Sequence, residues 1–114
     1  MHTKVINAQT ISASQSFTSK GITIPSNHGD FSLYWEVSGD GTAKFEYEAS
    51  ADGQHFILDD TSSIVADQTK TSGPGSDGKD MVNFAPWPAE AIKIKCTETG
   101  TSNSITVSAW LIST

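Results

Sequence analysis

Residues 31–50 carry the strictest pattern in the chain. Phe31, Leu33, Trp35 and Val37 alternate with Ser32, Tyr34, Glu36 and Ser38, and Ala43, Phe45, Tyr47 and Ala49 alternate with Lys44, Glu46 and Glu48. A side-chain direction that reverses at every residue belongs to a β-strand with one buried face. Gly39-Asp40-Gly41 separates the two runs, and its glycines accept positive φ, so the pair predicts one β-hairpin. Five of the chain's ten aromatic residues fall inside it. The expected core is therefore Phe31, Leu33, Trp35, Val37, Phe45 and Tyr47, joined by Ile92, Ile94, Val107 and Ala109 from later alternating runs.

The same period recurs in short pieces along the chain, and no stretch has apolar residues at helical spacing. Thr10 to Ser19 alternates weakly. Lys20 to Ile24 is a clearer strand that Pro25 ends, because proline cannot donate to a ladder. After the turn Ala51-Asp52-Gly53-Gln54 come His55 to Leu58, Ser63 to Ala66, Met81 to Phe84, Glu90 to Glu98 and Ser104 to Ile112. Strands at this spacing, punctuated by Gly, Asn, Asp and Ser, predict an all-β fold: a single antiparallel β-sandwich or jelly roll of about eight strands. With 114 residues there is room for one core. Residues 1–12 are expected to be an N-terminal arm or an edge strand, and residues 13–114 the sandwich. The segment from Asp67 to Asp80, rich in Gly, Ser and Thr, is expected to be a mobile surface loop.

Charge narrows the class of partner. Thirteen Asp and Glu face seven Lys, with no Arg, for a net charge of −6. Nucleic acid and anionic membrane surfaces both call for basic patches, so neither is expected as a partner. Cys96 is the only cysteine, and its phase with Ile92 and Ile94 predicts a small buried hydrophobe rather than a nucleophile. No apolar run has secretory length, which predicts synthesis in a cytosol.

No constellation for catalysis emerges. His2, His28 and His55 lack the close spacing of a zinc site. The loop carboxylates Asp59, Asp60, Asp77 and Asp80 match no calcium-loop spacing. There is no nucleophile elbow, phosphate loop or dinucleotide fingerprint. The sequence thus predicts a non-enzymatic protein without cofactor or metal. The candidate binding residues are aromatics out of phase with the core, Tyr34, Trp87 and Trp110, and the apolar Val5 and Ile6 ahead of the regular strands. Such side chains can anchor a protein interface or stack on a sugar ring.

A resemblance sharpens this picture. Ser38-Gly39-Asp40-Gly41-Thr42-Ala43-Lys44-Phe45-Glu46-Tyr47, followed by Ser50-Ala51-Asp52-Gly53-Gln54-His55-Phe56, is similar to a small β-rich family found among tailed-bacteriophage structural genes. Residues 71–80, Ile92 to Gly100 and Asn103 to Leu111 resemble the same family, so the likeness covers about residues 30–112. It implies a virion structural protein (a decoration, fibre-base or tail-associated subunit) whose partners are other virion proteins and its own copies, a trimer being favoured. The implied location is the virion, after assembly in the host cytoplasm. A weaker likeness, carried by the Ser-Ala-Asp-Gly turn and the Ile92-Lys93-Ile94 strand, is to discoidin-type jelly rolls. It implies the alternative, a carbohydrate-binding module that uses exposed aromatics on a surface glycan.

Overall fold

A computed structural model describes residues 1–24, 30–58, 62–86 and 88–113. These form nine strands and no helix: β1 (His2–Ile11), β2 (Ser16–Thr18), β3 (Ile22–Thr23), β4 (Phe31–Ser38), β5 (Ala43–Ser50), β6 (Ser63–Gln68), β7 (Lys79–Phe84), β8 (Ala91–Glu98) and β9 (Ile105–Ile112). One sheet has the order β1-β9-β4-β7, the other β2-β8-β5-β6, with β3 also on β8. All pairings are antiparallel.

Along the chain the pairs nest. β1 pairs β9, β2 and β3 pair β8, β4 pairs β7, and β5 pairs β6. That is a long antiparallel ribbon rolled once upon itself, the jelly-roll arrangement. β2 and β3 are one strand interrupted at Ser19. There the serine N–H donates to the Ile94 carbonyl at 2.8 Å, and its hydroxyl accepts the Ile94 N–H at 2.9 Å. Counting them together gives the eight strands of the expected fold.

The hairpin expected across Gly39-Asp40-Gly41 does not form. β4 belongs to one sheet and β5 to the other, so this turn is an arch between sheets. Both strands still bury their alternate residues, which is why periodicity cannot distinguish hairpin from arch. Gly39 has φ of 90° and, with Gly41, lies against the backbone of residues 103–105; a Cβ at Gly41 would meet the Asn103 carbonyl at 2.7 Å. The glycines serve a close approach of two arches rather than a two-strand turn.

Between the sheets lie Phe31, Leu33, Trp35 and Val37 of β4, Phe45 and Tyr47 of β5, Ile92, Ile94 and Cys96 of β8, and Ile105, Val107, Ala109 and Leu111 of β9, all buried. All ten residues of the predicted core are among the buried set. Trp35 is 1% exposed and faces Phe45 across the sandwich with ring centroids 5.2 Å apart. Trp35→Ala is expected to lower stability by about 3–5 kcal/mol in urea unfolding, as truncation of a large core aromatic does. A loss under about 1 kcal/mol would place the indole on the wrong face of its strand.

The N-terminal residues make the edge strand β1 rather than a free arm. Ile6 and Ile11 are 1% and 3% exposed. The Met1 ammonium donates to the Ser113 carbonyl at 2.7 Å, and the Ser113 N–H returns a bond to Met1. Of the predicted strand at His55–Leu58, only a single bridge forms, between Ile57 and Ala49. β6 and β7 extend further than predicted, leaving residues 69–78 between them. This loop is closed by its own bonds: Ser72 N–H to Thr69, Ser76 N–H to Gly73 and Gly78 N–H to Ser72, with Lys70 paired to Asp40. It is thus more tied than its composition suggests.

Candidate association face

The two sheets present different outer surfaces. On the β5/β8 face, Glu46 stands opposite Lys95, and Glu48 opposite Lys93. Lys44 lies 3.7 Å from Glu46, and Lys93 sits 4.2 Å above the Phe56 ring. Opposite charges directly across a strand pair stabilise modestly and keep a face hydrated.

The β1-β9-β4-β7 face carries an apolar row instead. Strand register places Lys4 beside Trp110, Trp110 beside Tyr34, and Tyr34 beside Met81. Four side chains from four strands therefore form one line across the sheet, about 14 Å long at the usual strand spacing. The Tyr34 and Trp110 rings are 5.2 Å apart and tilted by 45°. The Lys4 ammonium lies 4.9 Å from the Trp110 ring centre, within cation–π range. Met81 is 53% exposed and stands at the outer edge. Tyr34 donates its hydroxyl to Glu36 at 2.9 Å. That bond, more than burial or the nearby Glu36 and Asp77 charges, raises the phenol pKa above its usual range.

Shallow depressions flank the row. One, of about 210 Å³, is bordered by Ala8, Glu36, Asp77, Lys79 and Ser108; the other, of about 190 Å³, by Asp30, Ser32, Asn83 and Ile112. A row of half-exposed aromatics with polar borders has the make-up of an interface centre.

Of the candidate binding residues, Tyr34 and Trp110 come together on this face. Ile6 does not belong to it: its side chain is in the core, because a bulge at Val5 turns it inward. Val5 is half-buried on the far side of β1, bordering a separate groove. Trp87 lies outside the described residues, as do His28, Asp59 and Asp60. Lys4 and Met81 escaped the sequence reading, since only strand register reveals that they extend the aromatic pair.

Several groups with chemical potential prove committed elsewhere. Burial pushes the Cys96 thiol up to about 12, far from thiolate reactivity. Asp52 accepts the N–H groups of Gln54 and His55 and pairs with the His55 ring at 2.6 Å. The His55 backbone bond, foremost, holds its carboxyl well below the usual range. Among the described residues no group of three or more His, Cys, Asp or Glu converges as a metal site would require.

Glu98 is a third residue that the sequence did not single out. It is 1% exposed, in phase with Ile92, Ile94 and Cys96. Its carboxylate accepts four backbone N–H groups: Ser14 at 3.0 Å, Thr42 at 2.8 Å, Gly100 at 2.6 Å and Thr101 at 2.9 Å. These belong to three arches that join the sheets at one end of the sandwich. The bonds, the Thr42 N–H foremost, outweigh burial and bring its pKa down to about 2.

No family model matches the sequence. No curated protein matches it either. Solved structures do. The chain is similar in fold to the PBSX exported protein XepA, with a TM-score of 0.60 and 6% identity over 97% of this chain and 36% of that one. It is similar to the infectious bursal disease virus VP2 of a subviral particle, with a TM-score of 0.60 and 12% identity over 97% of this chain and 31% of that one. PirA is matched over 96% of this chain and 90% of its own length, with a TM-score of 0.54 and 14% identity. The likeness is one of fold. Apart from PirA, these are longer chains of which the present one spans about a third.

Proposed function

We propose that the chain is a non-enzymatic structural subunit of a virus or phage particle, acting by protein–protein association through the β1-β9-β4-β7 face. The observation that carries this reading is the Lys4–Trp110–Tyr34–Met81 row, an aromatic line on a sandwich whose other face sets glutamates opposite lysines across β5 and β8. Support also comes from the sequence resemblance and from a fold shared with VP2 of a subviral particle. The row alone is too small for a stable interface, which takes about 800 Å² per partner. It suits the centre of one, with the flanking depressions as the polar rim. Closed symmetry, a trimer foremost, would multiply such contacts. A decoration, fibre-base or tail-associated place in the particle fits this chemistry.

Mass in solution, together with co-sedimentation with particles of the virus that encodes the chain, tests the proposal. Tyr34→Ser and Trp110→Ser each replace a surface aromatic and should leave unfolding cooperative. Each is expected to weaken association about thirtyfold, equivalent to about 2 kcal/mol for an aromatic anchor. The reading would be overturned by a wild-type monomer that ignores particles yet is retained on polysaccharide resin through the same two residues. That outcome would make the face a carbohydrate platform.

A further inference from the structure

A second concave surface adjoins the aromatic face at Lys4, where the edge strand of one sheet stands beside the edge strand of the other. The groove between β1 and β2–β3 has a volume of about 410 Å³. Val5, Phe17 and Ile22 supply its apolar surface, Asn7 and Gln9 its amides, and Lys20 its charge, with Lys4, whose ammonium lies over the Trp110 ring, at the border shared with the aromatic face. Among the described residues no carboxylate lines it, in a chain with thirteen of them. Among the described residues neither lysine has an acidic partner within salt-bridge distance; the ion pairs present use Lys44, His55 and Lys70. The groove is therefore a basic, half-apolar site on an acidic protein.

Its walls also decide what kind of occupant fits. β1 is bulged at Val5 and again near Ala8, which has φ of 46°, and β2 is separated from β3 at Ser19 to Gly21. Two broken edges offer no continuous ladder for an added strand. They leave side-chain chemistry as the means of recognition: apolar contact on Val5, Phe17 and Ile22, lysine charge, and carboxamides able to bond a peptide main chain.

We propose that this groove receives an extended acidic peptide segment of a partner protein, with apolar side chains directed onto Val5, Phe17 and Ile22 and carboxylates onto Lys4 and Lys20. The assignment depends on charge complementarity and on the groove's lining; Lys4 is shared with the aromatic row, whereas Lys20 lines the groove alone.

The probe is a fluorescein-labelled decapeptide alternating Asp and Val, compared with one alternating Lys and Val and with an all-Asp decamer. Binding to the full chain would be followed by anisotropy, and the site located by amide chemical-shift changes. The expected result is that the Asp/Val peptide binds at least tenfold more tightly than the other two. Shifts should cluster at residues 3–9 and 17–22, and affinity should fall as salt rises. Lys20→Glu should weaken binding at least tenfold and leave the unfolding midpoint unchanged. Equal binding of the Lys/Val peptide, no binding of the Asp/Val peptide, or shifts centred on Tyr34 and Trp110 would each overturn the proposal. Lys20 is not part of the aromatic row, so Lys20→Glu tests the groove without altering the Tyr34–Trp110 pair, and Tyr34→Ser tests the face without altering the groove's lining.

Discussion

Glu98→Ala is expected to cost about 4–6 kcal/mol, a large share of the roughly 5–15 kcal/mol that holds a domain folded. The four N–H groups it accepts come from residues 14, 42, 100 and 101, in three separate inter-sheet arches. Hydrogen bonds to a charged acceptor contribute about 1.5–3 kcal/mol each, and donors left without a partner add their own desolvation cost. Not all four would lose out fully, since arches can relax toward water, which sets the lower bound. The exposed Glu90→Ala is the control, with an expected change under about 0.5 kcal/mol. pH gives an independent reading. The folded-state pKa of Glu98 lies near 2, against 4.5 for the free group, so the unfolded chain binds its proton more readily. Its contribution is fully present above about pH 5 and fades as pH falls toward 2. Urea unfolding at a series of pH values should therefore show a steeper acid loss in the wild type than in Glu98→Gln. Asp52 adds a slope of its own to both proteins, and the difference between them isolates Glu98. Parallel slopes would mean that the carboxylate is not held by these bonds.

The alternation of β4, β5, β8 and β9 made the core legible, because each is a regular strand whose odd or even residues all meet the other sheet. The partner of each strand was not legible. Gly39-Asp40-Gly41 has the composition of a hairpin turn, yet the feature that makes it an arch is the backbone of residues 103–105, sixty residues away in sequence. For residues 1–12 the sequence left arm and edge strand both open, for a different reason. Ile6 and Ile11 are five residues apart, a spacing that puts two side chains on opposite faces of a regular strand. Bulges between Lys4 and Ile6 and between Ile6 and Gln9 reset the phase, so both point inward. Half of the candidate face was visible from Tyr34 and Trp110 standing out of phase with the inward residues of their strands. Lys4 and Met81 needed the register, and Glu98, although in phase with Ile92, Ile94 and Cys96, needed the three arches that its carboxylate joins.

Removal of residues 1–9 is expected to abolish cooperative unfolding at ordinary temperature. The deletion takes away the pairing of His2, Thr3, Lys4, Ile6 and Gln9 with β9 and the terminal bonds between Met1 and Ser113. It also removes Ile6, whose burial contributes about 1.5–3 kcal/mol, and uncovers one side of Val107 and Ala109. Each ladder hydrogen bond adds about 0.5–1.5 kcal/mol. Together these losses approach the whole stability of a domain of this size. Ile6→Ala separates packing from pairing: it keeps the strand, and should cost about 2–5 kcal/mol while unfolding stays cooperative. Circular dichroism during thermal unfolding reads both variants. Should the truncated chain instead melt in one sharp transition near the wild-type midpoint, the sandwich stands without β1. Residues 1–9 would then be free to leave their own sheet and pair with the edge of a neighbouring molecule, and association rather than stability would be the property that the deletion weakens.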